Sequence, residues 1–294
     1  MSEEYLCLDI GGTNIKYAII TADGNFKYKA LLATEAQNGA KSIIAKIKNI
    51  AAKYKLQYNL QGIAISTAGI VDQEKGSIIY AFPEIFPGYS NTPLKRTLED
   101  DCNLPCTVEN DVNCAALGET WLGCARGTDS AFMMTIGTSV GGCIILDGKI
   151  IHGGANSAGE IAYMNIPQGN FHDIVSTTYL VNEISRQHNN NSDEFNGKAA
   201  FEMIANGDKI ANIVLDKMLQ SLLYGINNVC SILNPKTIIL GGGIMQQKEL
   251  LQPRIDYWAK KILPAIFYQN TQIKFAELGN DAGVLGALYY HLNN

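Results

Sequence analysis

The sequence predicts an α/β fold of two α/β lobes around a cleft, and three observations carry that expectation. A strand–glycine–hairpin unit occurs twice, first from Leu6 to the turn Asp23-Gly24 and again from Met133 to the turn Asp147-Gly148. After each copy, apolar strands give way to segments of helical spacing, the pattern of a mixed sheet flanked by helices. No linker rich in Pro, Gly or Ser separates the halves. The expected division assigns 1–114 with 283–294 to a small lobe and 115–282 to a large one.

Residues 5–10, 14–21 and 25–33 read as three strands, with Asp23-Gly24 as the hairpin signal between the last two. Ile43, Ile44, Ile47 and Ile50 predict a helix over 39–55. Gln61–Ser66 reads as a buried strand running into the loop Thr67-Ala68-Gly69. Pro83 to Pro93 is a Pro/Gly/aromatic loop, long enough to suspect a function. Thr92 is expected to cap a helix that has Pro93 at its first position and ends near Asp100. A strand over 107–109 and a helix over 111–122 follow. The second lobe repeats three strands at 131–137, 142–147 and 149–152. It then turns helical over 173–188, 198–205 and 208–233, with a polar loop at 189–196. A strand at 237–240, a helix at 248–263, a strand at 271–276 and a helix at 282–292 close the chain.

Composition narrows the classes of function. The chain has 294 residues, 47% hydrophobic and 17% charged, an ordinary globular balance. Its net charge of −5 and the lack of a Lys/Arg stripe argue against nucleic-acid binding. The acidic start Met1-Ser2-Glu3-Glu4 leads straight into a strand, and no apolar run is long enough to span a membrane. Seven scattered cysteines, an odd number, fit buried thiols in a reducing cytoplasm. Cys102 and Cys106 lack a second Cys/His pair nearby and are not read as zinc ligands.

The chemistry-bearing segments lie on loops after strands. In Asp9-Ile10-Gly11-Gly12-Thr13-Asn14, the glycines let backbone N–H groups approach an anion, and Thr13 adds a hydroxyl donor. Asp9 could face a magnesium ion through water. An ordinary tight turn with a capping Asp explains the same residues. No Gly-Lys-Ser/Thr follows, so this is not a Walker loop, and a strand stands where a dinucleotide fingerprint needs a helix. Gly137-Thr138-Ser139-Val140-Gly141-Gly142 is the counterpart in the second copy. Two such turns in equivalent positions point to the phosphates of a nucleotide. Gly241-Gly242-Gly243 permits a flat adenosine to lie against backbone, or serves a packed strand–helix turn. In Glu109-Asn110-Asp111, a carboxylate can take the proton of a substrate hydroxyl, and Asn110 offers a donor and an acceptor to sugar hydroxyls. Either Asn110 or Asp111 could instead cap the following helix. Gly153 to Gly159 is a run of small residues ending at Glu160, a candidate diol ligand or simply the start of a helix.

Taken together and in order, Asp9-x-Gly-Gly-Thr, Asn110-Asp111 with Ala115 and Glu119, Ile136-Gly137-Thr138…Gly141-Gly142, Gly153-Gly154…Ala158-Gly159-Glu160 and Leu240-Gly241-Gly242-Gly243 resemble the ROK (repressor, open reading frame, kinase) family of sugar kinases. The segment Phe86–Asn91 resembles that family's loop before its small-lobe helix. The resemblance implies an actin/hexokinase-type, ribonuclease H-like ATPase fold. It implies ATP and Mg²⁺ as co-reactants and phosphorylation of a hexose, usually at the 6-hydroxyl, in a homodimer. By that match Asp111 is the base. Asn110 and Glu160 bind sugar, and Ala68 and Gly69 lie beside it.

Two departures matter. Ile161-Ala162-Tyr163 stands where the family usually has Ile-Gly-His, and residues 165–173 contain no cysteine and only His172 as an imidazole. A structural zinc needs about four ligands, so none is expected. Tyr163 is expected to fill, or to flank, the space near carbons 1 and 2 of the sugar. Zinc-free members that act on β-glucosides are similar in lacking this loop. Glucose, a β-glucoside and N-acetylmannosamine remain open as acceptors, as does a sugar-binding sensor of weak catalysis. Eight residues precede Asp9, so the DNA-reading domain of the family's repressors is not expected.

Overall fold

The computed structural model describes residues 3–189 and 195–294. It opens with three antiparallel strands, β1 (Glu4–Ile10), β2 (Asn14–Thr21) and β3 (Phe26–Ala33). Helix α1 (Gly39–Lys55) lays Ile43, Ile47, Ile50 and Tyr54 into the core, a stripe at helical spacing. Strand β4 (Leu60–Thr67) is apolar and buried almost throughout, as a central strand covered on both faces must be. A short hairpin, β5 (Ile70–Asp72) and β6 (Ser77–Tyr80), precedes α2 (Leu94–Cys102), β7 (Cys106–Asn110) and α3 (Asp111–Trp121). Parallel pairing of β1 with β4 and of β4 with β7 gives the order β3-β2-β1-β4-β7. The register sets Ile10, Thr67 and Asn110 side by side, so the three loops leaving that edge start from neighbouring points.

The second sheet has the same plan. Strands β8 (Ala131–Ile136), β9 (Val140–Leu146) and β10 (Lys149–Ile150) are antiparallel. Asp147 and Gly148 both have positive φ, the backbone of a two-residue hairpin turn. Then come a small hairpin, β11 (Asn165–Ile166) and β12 (Gly169–Asn170), and four helices, α4 (Phe171–Ile174), α5 (Thr177–Gln187), α6 (Gly197–Ala205) and α7 (Lys209–Leu233). Strand β13 (Thr237–Gly241), α8 (Lys248–Ile262), α9 (Ala265–Asn270) and β14 (Gln272–Phe275) complete this part. β13 pairs in parallel with β8 and β14, giving β10-β9-β8-β13-β14. The last helix, α10 (Ala282–Leu292), packs on β1, β4 and α3.

The chain forms two compact units, Met1–Arg126 with His152–Ala158 and Asn280–Asn294, and Gly127–Ile151 with Gly159–Gly279. Each has its own hydrophobic core. The expected division after Cys114 falls inside α3, whose Gly118 and Cys114 backbone lies against Ala282 and Gly286 of α10.

Several local expectations need correction. The turn after β8 is three residues long, so Gly141 and Gly142 belong to β9 rather than to the turn. The helix expected over 173–188 is two, because Ser176 starts a new one by accepting a hydrogen bond from the Tyr179 N–H. Pro93, not Thr92, occupies the cap position of α2. The Thr92 hydroxyl donates instead to the Tyr89 carbonyl at 2.6 Å. The strand expected over 149–152 is limited to 149–150. Most of the polar loop expected at 189–196 lies outside the described residues.

Candidate active site

In the first unit, Asp9, Ser66 and Glu109 stand in one row across β1, β4 and β7. The Asp9 carboxylate accepts from the Ser66 hydroxyl at 2.8 Å and from the Lys16 ammonium at 3.1 Å. Gly283 at the start of α10 has no side chain because one would sit 2.9 Å from the Asp9 carboxyl carbon. Cys114 lies under this row. Burial, and then the Glu109 and Asp9 carboxylates, push its thiol well above the usual range.

The turn after β1 is closed by the Gly11 N–H donating to the Asn14 carbonyl at 3.0 Å. Thr34, a buried residue, braces it. Its hydroxyl donates to the Gly11 carbonyl at 2.6 Å, and its N–H to the Thr13 carbonyl at 2.9 Å. Gly12 and Thr13 are exposed. A side chain at Gly12 would meet Ile85 of the loop after β6 at 2.8 Å. That loop is held down by Phe86 and Tyr89, which are buried and stacked. The Tyr89 and Thr67 hydroxyls are 3.0 Å apart.

Asn110 caps α3 and is fully engaged. Its Oδ1 accepts from the N–H groups of Val112 (2.9 Å) and Asn113 (3.1 Å), and its Nδ2 donates to the Gly69 carbonyl and to Asp111 Oδ1, both at 3.0 Å. Asp111 Oδ1 also accepts from the Val112 N–H at 2.9 Å. A carboxylate in the first turn of a helix is favoured by the helix dipole. Asn110 thus ties Asp111 to the Ala68-Gly69 loop while serving as the cap of α3. Glu119 is buried and accepts from the Cys124 N–H at 2.9 Å, holding the turn after α3.

In the second unit, the turn Gly137-Thr138-Ser139 closes through the Gly137 N–H and the Ser139 carbonyl at 2.9 Å. The start of α5 grips it, with the Thr177 N–H on the Gly137 carbonyl at 2.8 Å and the Thr178 hydroxyl on the Thr138 carbonyl at 3.0 Å. His172 Nδ1 lies 3.2 Å from the Ser139 hydroxyl. Thr138 and Ser139 are exposed, as Gly12 and Thr13 are in the first turn.

The remaining glycines of this unit have separable reasons. Gly142 and Gly159 face each other, with a Cβ on Gly142 meeting the Gly159 carbonyl oxygen at 2.5 Å. This backbone contact seats Glu160, the next residue. Glu160 is reached by solvent but crowded by protein, which raises its carboxyl above the usual glutamate range. Tyr163 is 74% exposed. Gly242 has φ +97°, with Ile136 backbone at 2.2 Å from its Cβ position, so only glycine fits. Gly243 is open and, with Thr177, Lys198, Phe201, Glu202 and Gln247, lines a cavity of about 510 Å³. That volume is in the range of small-ligand sites. Lys198, Phe201, Glu202 and Gln247 carry no sequence motif, which is why the sequence reading missed them.

Among the described residues no group of three or more His, Cys, Asp or Glu is arranged to hold a metal. A hydrated magnesium needs less. One carboxylate plus substrate phosphates is a common arrangement, and the Asp9 carboxylate with its neighbouring Ser66 hydroxyl is a fitting donor set. No helix among the described residues is long and apolar enough to cross a membrane.

Two units on one five-stranded plan, with exposed glycine turns after the first strand of each and a carboxylate in the first turn of a helix beside one of them, define an α/β protein built on a repeated unit. The chain belongs to the ROK family, whose model matches residues 5–293. It is 42% identical over 290 residues to an uncharacterized protein, CPE0188, of Clostridium perfringens, covering 99% of this chain and 98% of that one. It is 31% identical over 310 residues to a glucokinase of Halalkalibacterium halodurans (96% and 93% covered). It is 30% identical over 294 residues to a β-glucoside kinase of Listeria innocua (97% and 96% covered). Among solved structures, a ROK family glucokinase from Streptomyces griseus in complex with glucose and AMPPNP superposes with a TM-score of 0.81 at 25% identity, 98% of each chain covered. The ROK hexokinase from Thermus thermophilus superposes at 0.84 and 22% identity, with 98% of this chain and 99% of that one covered, which confirms the hexokinase-type fold.

Proposed function

We propose that this protein transfers the γ-phosphoryl group of ATP to a hydroxyl of a hexose, the 6-hydroxyl of glucose or of a β-glucoside. The observation that carries the reading is Asp111, a carboxylate in the first turn of α3 and hydrogen-bonded to Asn110, which also holds the Gly69 loop. Its role is to accept the proton of the attacking hydroxyl as the new P–O bond forms and the bond to the ADP oxygen breaks. General-base assistance of this kind is worth about 10²–10⁴-fold. The rest of the acceleration comes from positioning and charge stabilisation, which dominate catalysis of phosphoryl transfer.

Asp9 is assigned to magnesium through water. When bound, the ion neutralises charge on the phosphates. The exposed turns Gly11-Gly12-Thr13, with Asn14 closing the first, and Gly137-Thr138 are assigned to the phosphates. Gly241, Gly242 and Gly243 with the adjoining cavity are assigned to adenosine. Gly141 enters only as part of the strand that supports its turn. Glu160, Ala68 and Gly69 are assigned to the sugar, and Asn110 acts chiefly by orienting its neighbours, since its side-chain bonds are already made within the protein. The glucokinases and β-glucoside kinases among the relatives support a hexose acceptor. Tyr163, exposed where the family has histidine, is assigned to the acceptor's anomeric side and favours an open site that admits a β-linked group.

The test is turnover with ATP and magnesium on a panel of glucose, mannose, N-acetylmannosamine, cellobiose and gentiobiose. Phosphorylation of one at carbon 6 is the expected result. ATP and sugar binding without turnover would support the sensor reading instead. Homodimer assembly is also proposed and is read by light scattering on the same sample.

A further inference from the structure

Glu109 is a buried carboxylate to which the phosphoryl-transfer reading gives no task. Its side chain is 1% exposed, and it immediately precedes Asn110 and Asp111. A charge so deep in a protein persists only when it is paired and hydrogen-bonded. Glu109 meets that demand with two N–H donors on one oxygen and a histidine ring nitrogen on the other. Oε1 accepts from the Asn110 N–H at 2.6 Å and from Asn113 Nδ2 at 2.9 Å, while Oε2 faces His152 Nε2 at 2.6 Å. His152, 11% exposed, lies 43 residues further along the chain. It opens the small-residue loop His152–Ala158, which belongs to the same compact unit. The loop closes on itself through the Ala158 N–H and the His152 carbonyl at 3.0 Å. Gly153 lets Ala158 approach, since a Cβ there would stand 3.0 Å from the Ala158 Cβ.

We infer that Glu109 and His152 form a clamp that fixes the loop His152–Ala158 against the base-bearing turn Glu109–Asn113, so that the two present one surface to the acceptor. The acceptor part of this inference rests on the kinase reading. The clamp itself is a property of the protein without ligands. Both are positioning residues. Glu109 acts through the Asn110 N–H and the Asn113 side chain, which set the first turn of α3 and with it the direction of the Asp111 carboxylate. A misplacement of about 1 Å can cost on the order of 10²-fold in rate, so a clamp of this kind matters although it touches no reacting atom.

The hydrogen bonds around Glu109 supply the test. Glu109→Leu keeps bulk and removes both acceptor oxygens. His152→Leu keeps bulk and removes the ring nitrogen. His152→Gln keeps a donor nitrogen where Nε2 was. Amide hydrogen exchange on the unliganded protein is expected to quicken across 153–158 and 111–114 in Glu109→Leu and His152→Leu, and to return toward wild type in His152→Gln. With the acceptor that the wild type turns over, kcat/KM for the sugar is expected to fall by about 10²-fold in the first two, with KM for ATP unchanged. The double variant should be no worse than the worse single one, as for two residues acting as a unit. Unchanged exchange, equal losses toward sugar and ATP, or failure of His152→Gln to recover would each overturn the clamp. A wild-type protein without turnover on any acceptor would refute the kinase reading, and the exchange experiment would still decide the clamp.

Discussion

At the residue scale, the candidate carboxylates have different surroundings. Asp111 is held by the Asn110 side chain, Asp9 by a hydroxyl and an ammonium, and Glu160 is reached by solvent while partial burial raises its carboxyl. A carboxylate whose pKa is raised by crowding is protonated at pH values where an ordinary glutamate is still charged, so its capacity to accept hydrogen bonds from two hydroxyls is lost first as pH falls. Sugar affinity is therefore expected to weaken as pH drops through a range above that of ordinary glutamate. KM for the sugar as a function of pH reads this limb, and Glu160→Gln should raise KM at neutral pH and flatten the dependence. Asn110, Asp111 and Glu160 were visible as candidates because they sit in compact motifs. The partner of Glu109 was not. A pair 43 residues apart leaves no local pattern, and His152 stands in the sequence only as a residue beside a glycine run. Ser66, buried and in register with Asp9, was similarly hidden in an apolar strand.

At the element scale, the glycine hairpins were visible because a strand, a glycine and an Asp-Gly turn recur in order. The reason for each glycine was not visible. Gly142 serves a backbone contact with Gly159, and Gly283 and Gly286 bring α10 against β1 and α3. The hairpin β5–β6 escaped notice because strands of three and four residues are too short for alternation to register. Asp72 and Gly76, joined by an N–H to carbonyl bond of 2.7 Å, were the available signal. The contact of α10 with α3 gives a stability test. A Cβ at Gly286 would stand 1.6 Å from the Cys114 carbonyl oxygen, so Gly286→Ala must separate the helices. Overpacking of this kind costs about 1–3 kcal/mol and sometimes more. An unfolding free energy from urea titration lowered by that amount is expected, and an unchanged value would contradict the close packing.

At the scale of the whole molecule, one strand plan used twice accounts for the repeat in the sequence. In each unit the exposed turn follows the first strand, and the parallel strands carry their loops at the same edge. Ligands of open α/β sheets bind outside the carboxyl ends of strands, so the positions of the candidate residues follow from topology as much as from motif. The fold class was legible from that repeat, and what escaped was most of the lining of the cavity beside Gly243, where Lys198, Phe201 and Glu202 stand on a helix that carries no motif. The metal assignment is tested on the intact protein. EDTA is expected to abolish turnover, and magnesium alone to restore it without added zinc. Recovery that required zinc would mean a metal site other than Asp9.

The central claim is that Asp111 is the base of an ATP-dependent hexose kinase. The measurement that meets it most directly compares wild type and Asp111→Asn in ADP release and sugar-phosphate formation, with sugar binding followed by calorimetry on both. Wild type is expected to phosphorylate a hexose, and Asp111→Asn to bind that hexose with similar affinity while losing turnover by about 10²–10⁴-fold. Near-normal turnover in Asp111→Asn would contradict the account.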